Sequence, residues 1–185
     1  QLDTLKDDDV LVLAGSIPAG MPQSIYRDIM SRLQSKRIKI AVDATKDLLM
    51  NVLAYHPFVI KPNNHELSEI FDVMIDSKEK AVVYAKELQK KGAKNVIVSM
   101  AGEGAVFVGS DGSVFTSEAP HGVVKNSVGA GDSMVAGFLA GYLAKGDYAE
   151  AFKMGLCTGS ASAFSDQLAT REEVEQVRRS HIFDF

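Results

Sequence analysis

The stretch NSVGAGDSMVAGFLAGYL, residues 126–143, puts two glycines and an aspartate at the mouth of an apolar run. Gly129, Ala130, Gly131 and Asp132 precede Met134, Val135, Phe138, Leu139 and Leu143, which fall on one face at helical spacing. The pattern predicts a helix from about residue 130 to residue 145. Small residues let the backbone approach a ligand closely and take unusual dihedrals. The first turn of a helix carries free N–H groups and a partial positive charge, so this turn is suited to an anion such as phosphate. Asp132 has two readings: a helix cap worth about 1 kcal/mol, or a general base that takes a proton from a substrate hydroxyl. Local sequence leaves both open. Gly137 and Gly141 weaken the helix intrinsically and are expected to permit close packing.

Upstream, short runs rich in β-branched residues alternate with amphipathic stretches. VLVLAGS (10–16) is almost continuously apolar and predicts a strand buried on both faces. IKIAVDA (38–44), FVIKPN (58–63) and NVIVSM (95–100) predict further strands. Between them lie predicted helices: one opening at Pro22 with Ile25, Ile29 and Leu33 on one face, one around KDLLMNVLAY, one at NHELSEIF and one at SKEKAVVYAKELQKKG, closed by Gly92. GAVFVGS and SVFTSEA, joined by Asp111-Gly112, read as a hairpin. Helices are expected again over residues 148–164 and near residues 171–179. The β-α-β rhythm with short connections predicts an α/β fold, three layers with a mostly parallel sheet, as one domain over residues 1–185.

Composition narrows the function. The chain has 185 residues, 46% of them hydrophobic and 24% charged, which suits a packed globular core rather than disorder. Net charge is −4 and the basic residues are scattered, so no nucleic-acid footprint is expected. Cys157 is the sole cysteine, which excludes a disulfide within the chain and suits a reducing, cytoplasmic setting. No apolar run approaches the roughly 18 residues of a membrane span, and the acidic opening QLDTLKDDDV is unlike a signal peptide. His56, His65, His121 and His181 lack ligand-like spacing and are read as surface or loop residues.

NSVGAGDSMVAGFL resembles the signature of the ribokinase-like (PfkB) carbohydrate kinases, a pattern many positions long. The resemblance implies a Rossmann-like αβα fold. It also implies that Gly129, Ala130 and Gly131 form the anion hole for the transferred phosphoryl group and that Asp132 is the catalytic base. It implies ATP as phosphoryl donor and Mg²⁺ beside it. KPNNHEL (61–67) carries an N-x-x-E pattern that by itself reads equally as a helix cap. The resemblance links Glu66 to the metal, acting mainly through water, and puts Lys61 and Asn63 near the ATP phosphates. In SMAGEGAV (99–106), Ser99, Met100, Ala101, Gly102, Glu103 and Gly104 become nucleotide contacts, although a plain turn into the hairpin fits the residues too. AGSIPAG (14–20) matches a segment on the sugar-phosphate side, so Ser16 is a substrate candidate against an ordinary-loop alternative. Asp43 matches an aspartate near phosphates and metal; a helix cap is equally open. In CTGSASAFSDQLAT (157–170), where tight packing explains most of the small residues, Ser165 falls where relatives border the adenine, often with Asn. No G-x-x-x-x-G-K-[ST] loop occurs in the chain.

The wording of these motifs is closest to the hexose-phosphate branch of that family. The expected substrates are fructose 1-phosphate, phosphorylated on its 6-hydroxyl, or tagatose 6-phosphate, with another ribokinase-like sugar kinase as alternative. A catalytically silent nucleotide-binding domain is the rival of a different class. The resemblance covers the C-terminal portion of the family pattern. The N-terminal part with more sheet, much of the sugar pocket and a small β lid has no counterpart ahead of residue 1, so a fragment that turns over poorly alone is expected. A homodimer is expected only of a full-length protein.

Overall fold

The computed structural model describes residues 2–185, which form two compact units. One is built from the chain up to Val98 together with Val108–Gly112, the other from Ser99–Phe107 and Ser113–Phe185. The architecture is three-layer α/β. Its strands β1 (Val10–Ala14), β2 (Lys39–Asp43), β3 (Val59–Ile60), β4 (Asn95–Ser99), β5 (Ala105–Val108) and β6 (Val114–Ser117) follow one another across the sheet in chain order. The pairs β1–β2, β2–β3 and β3–β4 are parallel. Parallel neighbours need crossovers, and α1 (Ile25–Leu33), α2 (Lys46–Met50), α3 (Asn64–Phe71) and α4 (Lys78–Lys90) lie in those connections.

In the first unit, β4 buries Asn95 through Val98, as expected of a strand covered on both faces. Asn95 is polar yet satisfied: its amide donates to the Phe58 carbonyl at 2.7 Å and accepts from the Ser110 N–H at 2.9 Å. β1 departs from the sequence expectation. Val12 is 46% exposed while Leu13 is buried, so one face of the strand is covered and the other is not. Apolar character shows that a face can be covered, and alternation is what reveals whether it is. Pro22 does not begin α1; its carbonyl accepts from the Ile25 N–H at 3.0 Å, so it opens a turn and the helix starts at Ile25. The KDLLMNVLAY helix divides into α2 and a 3₁₀ turn, Leu53–Tyr55, after which His56 takes a left-handed conformation. β3 is cut short because Pro62 has no N–H to extend the ladder.

The hairpin is joined where the sequence places its turn: Gly112, at φ 87°, donates to the Gly109 carbonyl at 3.1 Å. In the second unit, α5 (Ala130–Lys145) and α6 (Tyr148–Phe164) occupy the expected ranges, followed by α7 (Arg171–Ser180). The two long helices pack backbone to backbone. A Cβ on Gly137 would lie 2.5 Å from Thr158 Oγ1 and 2.7 Å from the Met154 carbonyl oxygen. Phe107 anchors the core, with ring centroids 5.4 Å from Phe138, 5.9 Å from Phe152 and 5.3 Å from Tyr148. Cys157 packs with Ala161, Val174 and Val177, and burial pushes its thiol pKa up to about 11. Among the described residues no helix is long and apolar enough to cross a membrane.

Candidate active site

The turn before α5 is organised by its own polar groups. Asn126 Oδ1 accepts from the Val128 N–H at 3.0 Å, while the N–H groups of Lys125 and Asn126 both donate to the Ala163 carbonyl in the last turn of α6. Gly129 then takes φ 79° at the N-cap position, a conformation that suits glycine, and a Cβ there would also press on Leu168. Ser133, buried one residue beyond Asp132, accepts from Ser162 Oγ at 2.9 Å, and Ser162 Oγ accepts from the Ala169 N–H at 3.1 Å. These bonds seat the first turn of α5 against α6 and the loop after it.

Of the helix-start amides, Ala130 N–H donates to the Ser127 carbonyl at 3.2 Å. Those of Gly129, Gly131 and Asp132 have no hydrogen-bond partner among the described residues. Ala130 therefore shapes the turn, and the N–H groups open to an anion are its neighbours'. Asp132 is exposed, and its carboxylate has neither a hydrogen bond nor an ion pair among the described residues. It stands three residues past the N-cap and makes no capping bond, so the cap alternative for this side chain is excluded. Three unpartnered donors and an unpartnered carboxylate at one helix mouth can bind an anion and accept a proton beside it.

In the first unit, candidates gather at the carboxyl ends of β2 and β3, where open parallel sheets bind ligands. Lys61 is only 7% exposed, and its Nζ lies 3.3 Å from Asp43 Oδ2. Asp43 ends β2, and Thr45 holds the N-cap position of α2. Asn63 and Glu66 make the full capping box of α3, with 2.8 Å bonds from each backbone N–H to the other's side chain. One Glu66 oxygen is thereby used, and the other is unpartnered among the described residues. No group of three or more His, Cys, Asp or Glu that could cage a metal occurs among the described residues. A carboxylate with one spare oxygen fits an ion such as Mg²⁺, which keeps its waters and takes few protein ligands.

Ser99 ends β4 half-buried, and Met100 turns its side chain into the core. Ala101–Glu103 form an exposed 3₁₀ turn closed by the Met100 N–H donating to the Gly104 carbonyl at 2.8 Å. The turn into the hairpin is thus real; Ala101, Gly102 and Glu103 are exposed on it, and Ser99 keeps part of its surface. Ser165 is buried, and its hydroxyl lies 2.9 Å from both the Ala161 carbonyl and Glu173 Oε1, which occupies its one hydrogen within the fold. The Ser165 and Thr170 bonds hold the Glu173 carboxyl below its usual range, the Thr170 backbone N–H foremost. Ser16 is exposed in the bend after β1, where the Gly15 N–H donates to the Asp43 carbonyl at 3.0 Å.

Sequence reasoning missed Val123, Val124, Val128 and Leu168, exposed apolar side chains on the two loops that flank Gly129. Val128 is 79% and Leu168 65% exposed. Leu168 lies against the turn, where its Cδ2 would stand 2.8 Å from a Cβ on Gly129. The available signal was GVVKNSV itself, whose valines serve neither helix nor strand.

Known proteins match nearly the whole chain. The pattern of the pfkB family carbohydrate kinases fits residues 1–173. The 1-phosphofructokinase of Bacillus subtilis is 44% identical over 177 residues, 96% of this chain and 58% of that protein. The D-tagatose-1-phosphate kinase of Bacillus licheniformis is 30% identical over 90% of this chain and 55% of that protein. The crystal structure of phosphofructokinase-2 from Escherichia coli in complex with substrates and products superposes with a TM-score of 0.88 at 27% identity, over 96% of this chain and 59% of that one. The chain thus spans under two thirds of the length of these relatives.

Proposed function

The chain belongs to the pfkB family of carbohydrate kinases, and from that premise we propose that it is the phosphoryl-transfer portion of an ATP-dependent hexose-phosphate kinase. Fructose 1-phosphate is the substrate, giving fructose 1,6-bisphosphate. The observation that carries the reading is the mouth of α5: an exposed, unpartnered Asp132 beside the unpartnered N–H groups of Gly131 and Asp132. Phosphoryl transfer needs positioning and charge stabilisation more than covalent chemistry. The free amides take up negative charge on the transferred group's oxygens. Asp132 takes the proton of the attacking hydroxyl. The exposed face of Val128 and Leu168 supplies an apolar surface for the nucleotide base, in place of Ser165.

Lys61, held by Asp43, adds a fixed positive charge for the phosphates, and the spare oxygen of Glu66 holds magnesium through water. When bound, the ion neutralises phosphate charge. Ser16 contacts the sugar phosphate. The reading includes a cytoplasmic setting and, for the full-length protein alone, a homodimer.

Fructose 1-phosphate ranks first because the relative named for that activity is 44% identical, against 30% for the tagatose-phosphate kinase. A coupled ADP-release assay on the full-length protein, with fructose 1-phosphate, tagatose 1-phosphate, tagatose 6-phosphate and ribose, tests this. The highest kcat/KM is expected with fructose 1-phosphate. A preference for a tagatose phosphate moves the assignment to that substrate, and ATP binding without transfer to any sugar makes the chain a silent nucleotide binder.

A further inference from the structure

Residues 181–185, HIFDF, lie beyond the stretch that fits the family pattern and have no part in the site described above. They form no helix or strand, yet they are held down. Alternate residues turn inward. The Phe185 ring stacks on Phe115 of β6 at a centroid distance of 4.9 Å and meets Phe152 of α6 at 5.5 Å. Phe183 packs edge-on against His181 at 4.6 Å and against Phe185 at 5.7 Å. Lys153 lies over both phenylalanine rings, at 5.5 and 5.2 Å. Ile182 and Asp184 point to solvent.

The polar contact at the head of this segment leads toward the candidate nucleotide loop. Ser117 Oγ lies 3.0 Å from the Glu118 carbonyl oxygen and shares a 3.2 Å hydrogen bond with His181 Nε2. Ser117 is the last residue of β6, and its backbone is in van der Waals contact with Gly104. A Cβ on Gly104 would meet the Ser117 carbonyl oxygen at 2.0 Å and Glu118 C at 2.6 Å. Gly104, at φ 90°, closes the loop that begins at Met100. The route from the aromatic segment to the loop therefore passes through one residue, Ser117, and every group on it lies in the second unit.

We infer that residues 181–185 are a brace that positions the Met100–Gly104 loop and so sets nucleotide affinity. The aromatic side chains fix the segment on β6 and α6, where stacked rings contribute beyond their buried area. His181 then pins Ser117, and Ser117 fixes the backbone against which Gly104 rests. The brace touches no substrate; its residues are positioning residues. The nucleotide half of the inference rests on the proposed kinase function, whereas the mechanical half does not.

Two variants of the full-length protein test both halves: His181→Ala, which keeps the aromatic contacts, and a chain ending at residue 180. Amide hydrogen exchange is expected to speed up at residues 100–104 and 117–119 in both variants, with the first turns of α5 unchanged. KM for ATP is expected to rise about three- to tenfold, while KM for the hexose phosphate and kcat at saturating ATP hold. Unchanged exchange at residues 100–104 in a folded His181→Ala protein overturns the brace. Loosened exchange with an unchanged KM for ATP overturns its role in nucleotide affinity. If the parent protein transfers no phosphate at all, the kinase reading fails and the exchange result still decides the mechanical claim. Should the shortened chain not fold, His181→Ala decides alone.

Discussion

Lys61 and Asp43 hold opposite charges 3.3 Å apart at positions little water reaches, 7% and 18% exposed at the side chain. Each charge loses hydration on folding, and the attraction between them offsets that cost only while both are present. Asp43→Ala should therefore destabilise the fold by about 3–5 kcal/mol, as expected when one buried partner is removed. Lys61→Met in the Asp43→Ala background should recover most of the loss, and urea unfolding of the single and double variants measures it. Additive losses would mean the pair is not coupled. At this scale the sequence was partly legible. Asp132 stands out in the sequence by its place after two glycines, but whether it caps the helix is decided by the backbone, where Gly129 takes the N-cap. Ser165 is put beside the adenine by the family resemblance alone, in a segment whose small residues read as tight packing. Its hydroxyl was already committed to Glu173, eight residues on, a partner no local pattern reveals.

Elements were more legible than residues because periodicity integrates over many positions. The ranges of α5 and α6 follow from the GAGD turn and from Asp147, whose side chain caps the second helix by accepting the Glu150 N–H at 2.7 Å. Short elements were less legible. β3 spans two residues because Pro62 stops it, and α1 starts three residues after Pro22 because that proline begins a turn. The exposed face of β1 was invisible because an apolar run carries no record of what covers it. The glycine seam between α5 and α6 gives a prediction at this scale. Gly137→Ala gains about 1 kcal/mol of helix propensity but drives a methyl into the Met154 carbonyl and Thr158. Overpacking of about 1–3 kcal/mol should leave a net loss in thermal or urea unfolding. Gly102→Ala, which meets nothing within 4 Å, should stay within about 0.5 kcal/mol of the parent. A stabilised Gly137→Ala protein would contradict the close-packed seam.

Across the whole molecule, the chemistry is divided between two compact units. The first carries the Lys61–Asp43 pair and the capped Glu66; the second carries the glycine turn before α5, Asp132 and the loop closed by Gly104. Fold class was legible because a β-α-β rhythm leaves few topologies, and the family from the long pattern around Asp132. The division into two units was not, since composition and spacing are continuous through residues 98–113 where the chain changes unit. The most direct test is a pair of kinetic constants for Asp132→Asn in the full-length protein: kcat under saturating fructose 1-phosphate and ATP, and the Kd for ATP. Loss of a general base predicts a fall in kcat of about 10²–10⁴ with ATP affinity retained. A kcat equal to that of the parent would contradict the account, because the carboxylate at the mouth of α5 would then take no proton from the substrate.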